Sequence, residues 1–351
     1  MPVIAIAKLT TFANELFQAA GVGETDAAQM AASLVDANLR GHDSHGVMRI
    51  ASYIDQIQQG RIFPTERLEI LKESASSIVA DGHWGLGLVL AHQLVDRMID
   101  KAAHSAVVIG TLQRSSHIGR LGEYAEKFAA KGLVSMALAN THGAAQRVAP
   151  VGGKRPRLGT NPICIGVPGG TSGPFVFDIG TSATAEGKVR VKKIAGEAVP
   201  PGWILDPEGN PSTDPNQLYG NPPGTILPLG GDQAYKGFGL AFMIEMLCGG
   251  MSGGQCAYPN PPAPIGNCGW FMAISPDFFA GTEHLLQEVR QLEEYVRSVP
   301  KIDESKTITL PGDPERAVLA ARSSTGIPLD EGNWKALVTL GEKLGVAAPA
   351  V

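Results

Sequence analysis

Apolar residues in the first sixty positions recur three and four apart, the spacing of one helix face. Thr11 is placed to cap a helix carrying Phe12, Leu16 and Phe17, and Asp26 with Gln29 has capping-box spacing ahead of Met30, Leu34 and Leu39. A third helix is predicted from near Ser44, with Val47, Ile50, Ile54 and Ile57 on one face and Gly60 with Pro64 to end it. From about residue 70 the texture changes to short β-branched runs divided by Gly and Pro: SSIVADG, SAVVIGTL, LVSMALANT, PICIGVP, FVFDIGTS, GWILD and WFMAIS. These predict a substantial sheet. Helices are predicted at Leu88–Ala103 and Gly119–Ala130, then a nearly all-apolar, buried one at Tyr235–Leu247, and an amphipathic one carrying Leu285, Val289, Leu292 and Val296. The last forty residues return to helix after LPGDPERA. The pattern predicts an α/β (α+β) chain in which residues 1–70 and 315–351 form one helical module around an α/β domain at 71–314.

Composition narrows the function classes. With 29 Lys+Arg against 34 Asp+Glu, the net charge of −5 excludes a nucleic-acid binder that works by bulk charge. Hydrophobic residues at 44% and charged residues at 18% exclude disorder and provide a sizeable core. Gly (43) and Pro (25) are abundant, so many turns and close backbone approaches are expected. Cys164, Cys248, Cys256 and Cys268 form no C-x-x-C pair and read as buried free thiols. The N-terminal stretch has neither the basic flank nor the cleavage site of a signal peptide, and the apolar run Phe238–Met251 is too short to cross a bilayer. A cytoplasmic protein with no membrane and no nucleic-acid partner is expected.

The densest group of reactive side chains is GHDSHGVMRI at 41–50. On a helix, His45 and Arg49 share a face, presenting a proton donor beside a cation. That pair suits a substrate with a carboxylate next to a carbonyl, the guanidinium holding the carboxylate while the imidazole exchanges a proton with the oxygen. A capped helix start with solvated side chains is the plainer reading of the same residues. In SSHIGRLG, Ser115, Ser116 and His117 precede Gly119 and Gly122, so amides at the start of the following helix are open to an anion with Arg120 beside them. A metal site on His42, Asp43, His45 and His117 is disfavoured, because 42 and 45 are three apart across a loop. The nearest dinucleotide fingerprint fails, since Gly85 and Gly87 are followed by Leu90 where a third glycine is needed. Asp178 ends an apolar strand, where a carboxylate can orient an imidazole, and Lys236 sits between a glycine loop and a helix, placed to meet a phosphate.

In order and spacing, DSHGVMRI, SSHIGRLGEYAEKFAAKGLVSMALANT, RLGTNPICIGVP, FDIGTSATAEGKV, GWILDPEGNPSTDP, LPLGGDQAYKGFGLA and LPGDPERA resemble the malate/L-lactate dehydrogenase family of the second type, over about residues 40 to 316. The resemblance implies an NAD- or NADP-dependent oxidoreductase acting on small 2-oxo and 2-hydroxy acids. It implies a non-Rossmann cofactor domain with a mostly antiparallel sheet, and a homodimer. Carried over by residue, Ser44 and His45 match a catalytic pair with His45 as the acid and Asp178 as its relay partner, and Arg49 matches the substrate carboxylate clamp. His117, Gly119, Arg120 and Leu121 match a cofactor-binding turn, and His117 competes with His45 for the acid/base role. Gly180, Thr181 and Ser182 beside Asp178, then Lys236, Gly237, Asn267, Pro311, Gly312 and Asp313, match further cofactor contacts. RLGTNP and SHIGRLG look like the hydroxycarboxylate dehydrogenase wording. Related activities are cyclic imino acid reduction with NADPH and ureidoglycolate oxidation. From other classes, a metal-dependent hydrolase or lyase on His42, His45 and His117, and a silent scaffold, remain as alternatives.

Overall fold

The structure is a computed structural model that describes residues 1–261 and 264–350. A two-residue strand β1 (Val3–Ile4) leads into α1 (Ile6–Ala19) and α2 (Glu24–Leu39). Both helices start earlier than the capping signals predict. Extended Ala5 and Gly23 precede them, Thr11 lies inside α1, and Glu24 and Asp26 occupy the first turn of α2, where their charge complements the helix dipole. The reason is packing: Leu9 and Ala27 are fully buried and need a helical turn before them.

The predicted helix from Ser44 is also displaced. Two 3-10 turns, Asp43–His45 and Val47–Arg49, come first, and α3 runs over Ile50–Gln58. The break is at Gly46, which is extended, and a Cβ there would lie 2.1 Å from Asn38 Oδ1. That oxygen accepts from the Val47 amide at 2.8 Å, so α2 dictates where the next helix begins.

Seven strands form one sheet: β2 (Glu69–Glu73), β3 (Ser77–Gly85), β4 (Val107–Ser115), β11 (Asn267–Ile274), β5 (Val134–Asn140), β6 (Ile163–Val167) and β7 (Phe175–Ile179), in that spatial order. Only β3 and β4 are parallel, joined through α4 (Gly87–Ala102); the other neighbours are antiparallel. The sheet is mostly antiparallel, as the resemblance implies. Strand residues alternate between two cores. Ala137, Ala139, Phe271 and Ala273 face α4 and α5 (Leu121–Ala129), whereas Leu138 and Trp270 face Ile244 of α7 (Tyr235–Glu245).

A smaller cluster of Val148, Val189, Val199, Ile204, Leu218 and Ile226 joins α6 (Glu186–Ala195) to the strands β8 (Ile204–Leu205) and β10 (Thr225–Ile226), and β9 (Pro211–Ser212) pairs with β8. Then follow α8 (Thr282–Arg297), α9 (Asp313–Thr325), β12 (Ile327–Pro328) and α10 (Glu331–Leu344). Ile327, Leu329 and Leu337 share one core with α1, α2 and α3, and that core also takes in Leu86, Leu88 and Val89 at the start of α4.

Two helices depart from expectation. α7 is covered on one side only: Gly237, Ala241 and Ile244 are buried, but Phe242 is 50% and Met243 52% exposed. On α8, Leu292 is exposed and Glu293 is buried, because this helix lies against the 169–174 turn, with Leu286 and Val289 beside Gly169 and the Glu293 carboxylate accepting from the Thr171 amide. Cys164, Cys248 and Cys268 are buried free thiols, while Cys256 is half-buried. No helix among the described residues is long and apolar enough to cross a membrane.

Candidate active site

Two imidazoles meet where the helical core abuts the end of the sheet. The His45 and His117 rings lie 5.4 Å apart, one from the 3-10 turn after α2 and the other from the turn after β4. Nδ1 of His117 accepts from the Tyr53 hydroxyl at 2.6 Å and from the Gly119 amide at 3.3 Å. Those two donors fix the neutral tautomer that carries its proton on Nε2. Nδ1 of His45 meets the Ser44 hydroxyl at 3.0 Å. Tyr53 comes from the buried face of α3 and was not singled out in the sequence; an aromatic with a polar tip on a core stripe was the available signal.

Arg49 faces all of these groups. Its Nε donates to the Ser44 carbonyl at 2.6 Å, and among the described residues its terminal nitrogens have no carboxylate partner. Burial lowers the His45 pKa to about 3, and the Arg49 charge adds to the effect. His117 is pushed well below its ordinary value by burial, then by Arg49 and His45. Tyr53 is raised to about 12 by burial, which Arg49 opposes. The site therefore holds two neutral imidazoles, a neutral phenol and one uncompensated cation. His45 and Arg49 do converge, as the sequence predicts, although two 3-10 turns and not one α-helical face bring them together.

Asp178 is placed elsewhere than a relay would need. Its Oδ2 accepts from the Gly122 amide at 2.7 Å, closing the start of α5 that the sequence left open to an anion. It makes no hydrogen bond to His45 among the described residues; burial raises its pKa, against the Gly122 amide, His42 and Arg120. Arg120 is not a free cation either. Its buried guanidinium donates to Asp36 at 3.1 Å and to Glu126 at 2.8 Å, and although burial works against the charge, Glu126 and Asp36 hold its pKa above the ordinary value. His42 pairs with Glu315 at 3.3 Å. Among the described residues no three His, Cys, Asp or Glu side chains are grouped to hold a metal ion. Asn267 bridges within the chain, accepting from the Ile118 amide at 3.0 Å and donating to the Asn140 carbonyl at 2.7 Å.

The remaining segments line the edge strand β7. At its start, Arg316 donates to the Pro174 carbonyl at 2.6 Å, which brings Gly312 alongside, and Arg297 and Arg316 hold Asp313 with its pKa lowered against the effect of burial. Pro311 precedes Gly312, whose φ of +89° opens α9. At its end, Thr181 accepts from the Leu229 amide at 3.0 Å, and Gly237 packs so closely under Leu229 that a Cβ would lie 2.3 Å from the Leu229 carbonyl oxygen. Gly180 lies in ordinary contact with Thr160, Ser182 turns its hydroxyl onto the Thr184 carbonyl, and Leu121 is buried behind the turn. The five residues of β7 span roughly 15 Å at about 3.3 Å per residue. Lys236 stands exposed at one end with no carboxylate within reach among the described residues. The unpaired edge of β7 and the exposed Lys236 ammonium fit an extended dinucleotide.

The profile of the malate/L-lactate dehydrogenase family matches residues 4–338. The chain belongs to this malate/L-lactate dehydrogenase family. Hydroxycarboxylate dehydrogenase B of Escherichia coli O157:H7 is 36% identical over 342 residues, covering 96% of this chain and 93% of that one. The L-lactate dehydrogenase of Cupriavidus necator is 32% identical over 350 residues, 99% of each chain. The structure of malate dehydrogenase from Pyrococcus horikoshii superposes with a TM-score of 0.89 at 30% identity, covering 99% of this chain and 97% of that one. As a malate/L-lactate dehydrogenase family member, the protein is an NAD(P)-dependent oxidoreductase of the 2-hydroxy acid dehydrogenase type.

Proposed function

We propose that the protein interconverts 2-oxo and 2-hydroxy acids at the His45, His117 and Arg49 cluster, with His117 as the group that carries the proton. The observation that supports this most is the Arg49 guanidinium, half-buried near two neutral imidazoles and lacking a carboxylate partner among the described residues. Such a charge calls for an anion, and a substrate carboxylate fits its fork in bidentate fashion. The carbonyl adjacent to that carboxylate then lies between the rings. The Nε2–H of His117 donates to the carbonyl oxygen, and in reduction the proton passes to that oxygen as the carbon gains hydride. When bound, the reduced nicotinamide supplies that hydride. Tyr53 and the Gly119 amide keep the His117 proton on Nε2. His45 flanks the same oxygen with its own ring held by Ser44, without a carboxylate behind it. Asp178 acts at one remove by pinning α5, and with it the His117 turn.

The cofactor is held along β7 in this reading. Lys236 meets the diphosphate, and Gly180, Thr181, Ser182 and Gly237 form the backbone rim. The cavity of about 400 Å³ beside Gly173, Pro174, Gly312 and Arg316 receives the adenosine. Pro311 and Asp313 shape its edge, whereas Arg120 and Asn267 support the His117 turn from within. A second copy of the chain covers the apolar face of α7, giving a homodimer.

The test is a screen of NADH and NADPH separately against pyruvate, phenylpyruvate, oxaloacetate and 2-oxoglutarate, with a cyclic imino acid as a further arm. Oxidation of either cofactor with a 2-oxo acid is expected. Turnover of the imino acid alone would overturn the assignment.

A further inference from the structure

Glu245, the last residue of α7, is buried at 3% exposure, and the mechanism above gives it no part. No Lys, Arg or His pairs with it among the described residues. Its carboxylate is instead held by three neutral donors: Oε1 accepts from Asn161 Nδ2 at 2.9 Å, and Oε2 accepts from Asn140 Nδ2 at 2.8 Å and from the Ala257 amide at 3.0 Å. Directly after it the helix loosens into a π-turn at Met246–Gly250, a feature frequent at functional sites.

Two hydrogen-bonded lines run outward from this one carboxylate. Along the first, the Asn140 carbonyl accepts from Asn267 Nδ2 at 2.7 Å, Asn267 Oδ1 accepts from the Ile118 amide at 3.0 Å, and the next amide, Gly119, donates to His117 Nδ1. Along the second, Asn161, held at a φ of +28°, accepts on its carbonyl from the Thr181 hydroxyl at 2.9 Å. A non-glycine residue at that φ is strained and stays there only because its surroundings hold it. One line ends at the acid/base imidazole and the other at the rim beside β7.

We infer that Glu245 is a positioning residue for the reaction, setting the His117 turn and the Thr181 loop in register through Asn140, Asn267 and Asn161. The inference rests on the reading of His117 as the proton carrier. A carboxylate is needed because it alone accepts from all three donors. An amide has one acceptor oxygen, and its NH2 would confront an N–H.

The test uses full-length Glu245→Gln, alone and combined with His117→Ala. A misplacement of the imidazole by about 1 Å predicts a kcat loss of about 100-fold in the single variant, with KM for the 2-oxo acid changed little. In the His117→Ala background the same substitution is expected to lower kcat less than about twofold, because the first line no longer ends on a reacting group, while the second line, to the Thr181 loop, is expected to show as a raised KM for NAD(P)H in both backgrounds. Equal losses in both backgrounds, or an unchanged kcat in the single variant, would overturn the inference. Nitrogen-15 spectra of the histidine rings provide a readout independent of turnover. The wild type is expected to show His117 as the single Nε2–H tautomer, and Glu245→Gln a mixture. A His117 signal identical in the two proteins refutes the positioning role. If His117→Ala retains full activity while the tautomer still changes, the proton-carrier reading fails and Glu245 is left as a support of the His117 ring with no part in the reaction. Should Glu245→Gln not fold, Asn267→Asp breaks the first line at its middle by placing an oxygen against the Asn140 carbonyl, and the same non-additivity with His117→Ala is expected.

Discussion

The Tyr53 hydroxyl donates to Nδ1 of His117 at 2.6 Å, joining a residue of the helical core to the turn after β4. Removing it leaves only the longer bond from the Gly119 amide to fix the ring. Tyr53→Phe is therefore expected to lower kcat by about tenfold and to cost about 1–2 kcal/mol of stability, the usual effect of deleting one partner of a buried hydrogen bond. Steady-state rates and urea unfolding of the same preparation check both. A kcat at the wild-type level would show that the tautomer does not depend on Tyr53.

Arg49 has no internal counter-ion among the described residues, so its charge is available to substrate. Arg49→Lys keeps the charge and loses the fork. A fall in kcat/KM of about 10- to 100-fold is expected, corresponding to one charged hydrogen bond of roughly 1.5–3 kcal/mol. The loss should appear with every 2-oxo acid tested and be small for ketones lacking a carboxylate. A uniform loss with both kinds of substrate would place Arg49 outside the clamp.

Both imidazoles carry pKa values below that of an unfolded histidine, His45 down to about 3. Above about pH 6.5 neither the folded nor the unfolded state protonates them, and the stability they allow is fully present. As pH falls through that value the unfolded chain takes up protons that the folded chain refuses, so stability declines toward pH 3. Urea midpoints measured at about pH 7.5 and pH 5 should differ less in a His45→Gln, His117→Gln double variant than in the wild type. Equal differences would mean that other groups set the acid limit.

Much of this arrangement is legible in the sequence, and what is not has a common cause. The strands β3 to β7 and β11 could be read because each carries a short apolar run, several of them β-branched and set off by Gly or Pro. His45 and Arg49 could be singled out as a pair, yet the break at Gly46 could not, since it depends on Asn38 eight residues earlier. Likewise Asp178 suggested a partner for an imidazole, but whether it meets His45 or the Gly122 amide is decided by how β7 lies against α5. Arg120 looked free because Asp36 and Glu126, its partners, come from two different helices. Hydropathy marked α7 as apolar without showing that only one of its faces meets the sheet.

That uncovered face gives a prediction of its own. Phe242→Glu places a charge among exposed Met243, Met246 and Leu240 without disturbing the buried side of α7. Light scattering should give a mass of about twice the 36.8 kDa chain for the wild type and a single chain for the variant. A wild-type mass of one chain would remove the homodimer.

The most direct test of the central claim is the rate of NAD(P)H oxidation by a 2-oxo acid in the wild type, His45→Ala and His117→Ala, compared near pH 7. The account predicts that His117→Ala loses on the order of 10²–10⁴ in kcat, as removal of an acid/base does. His45→Ala should lose less, and chiefly through KM. Near-normal turnover in His117→Ala beside a deep loss in His45→Ala would contradict it and return the proton to His45.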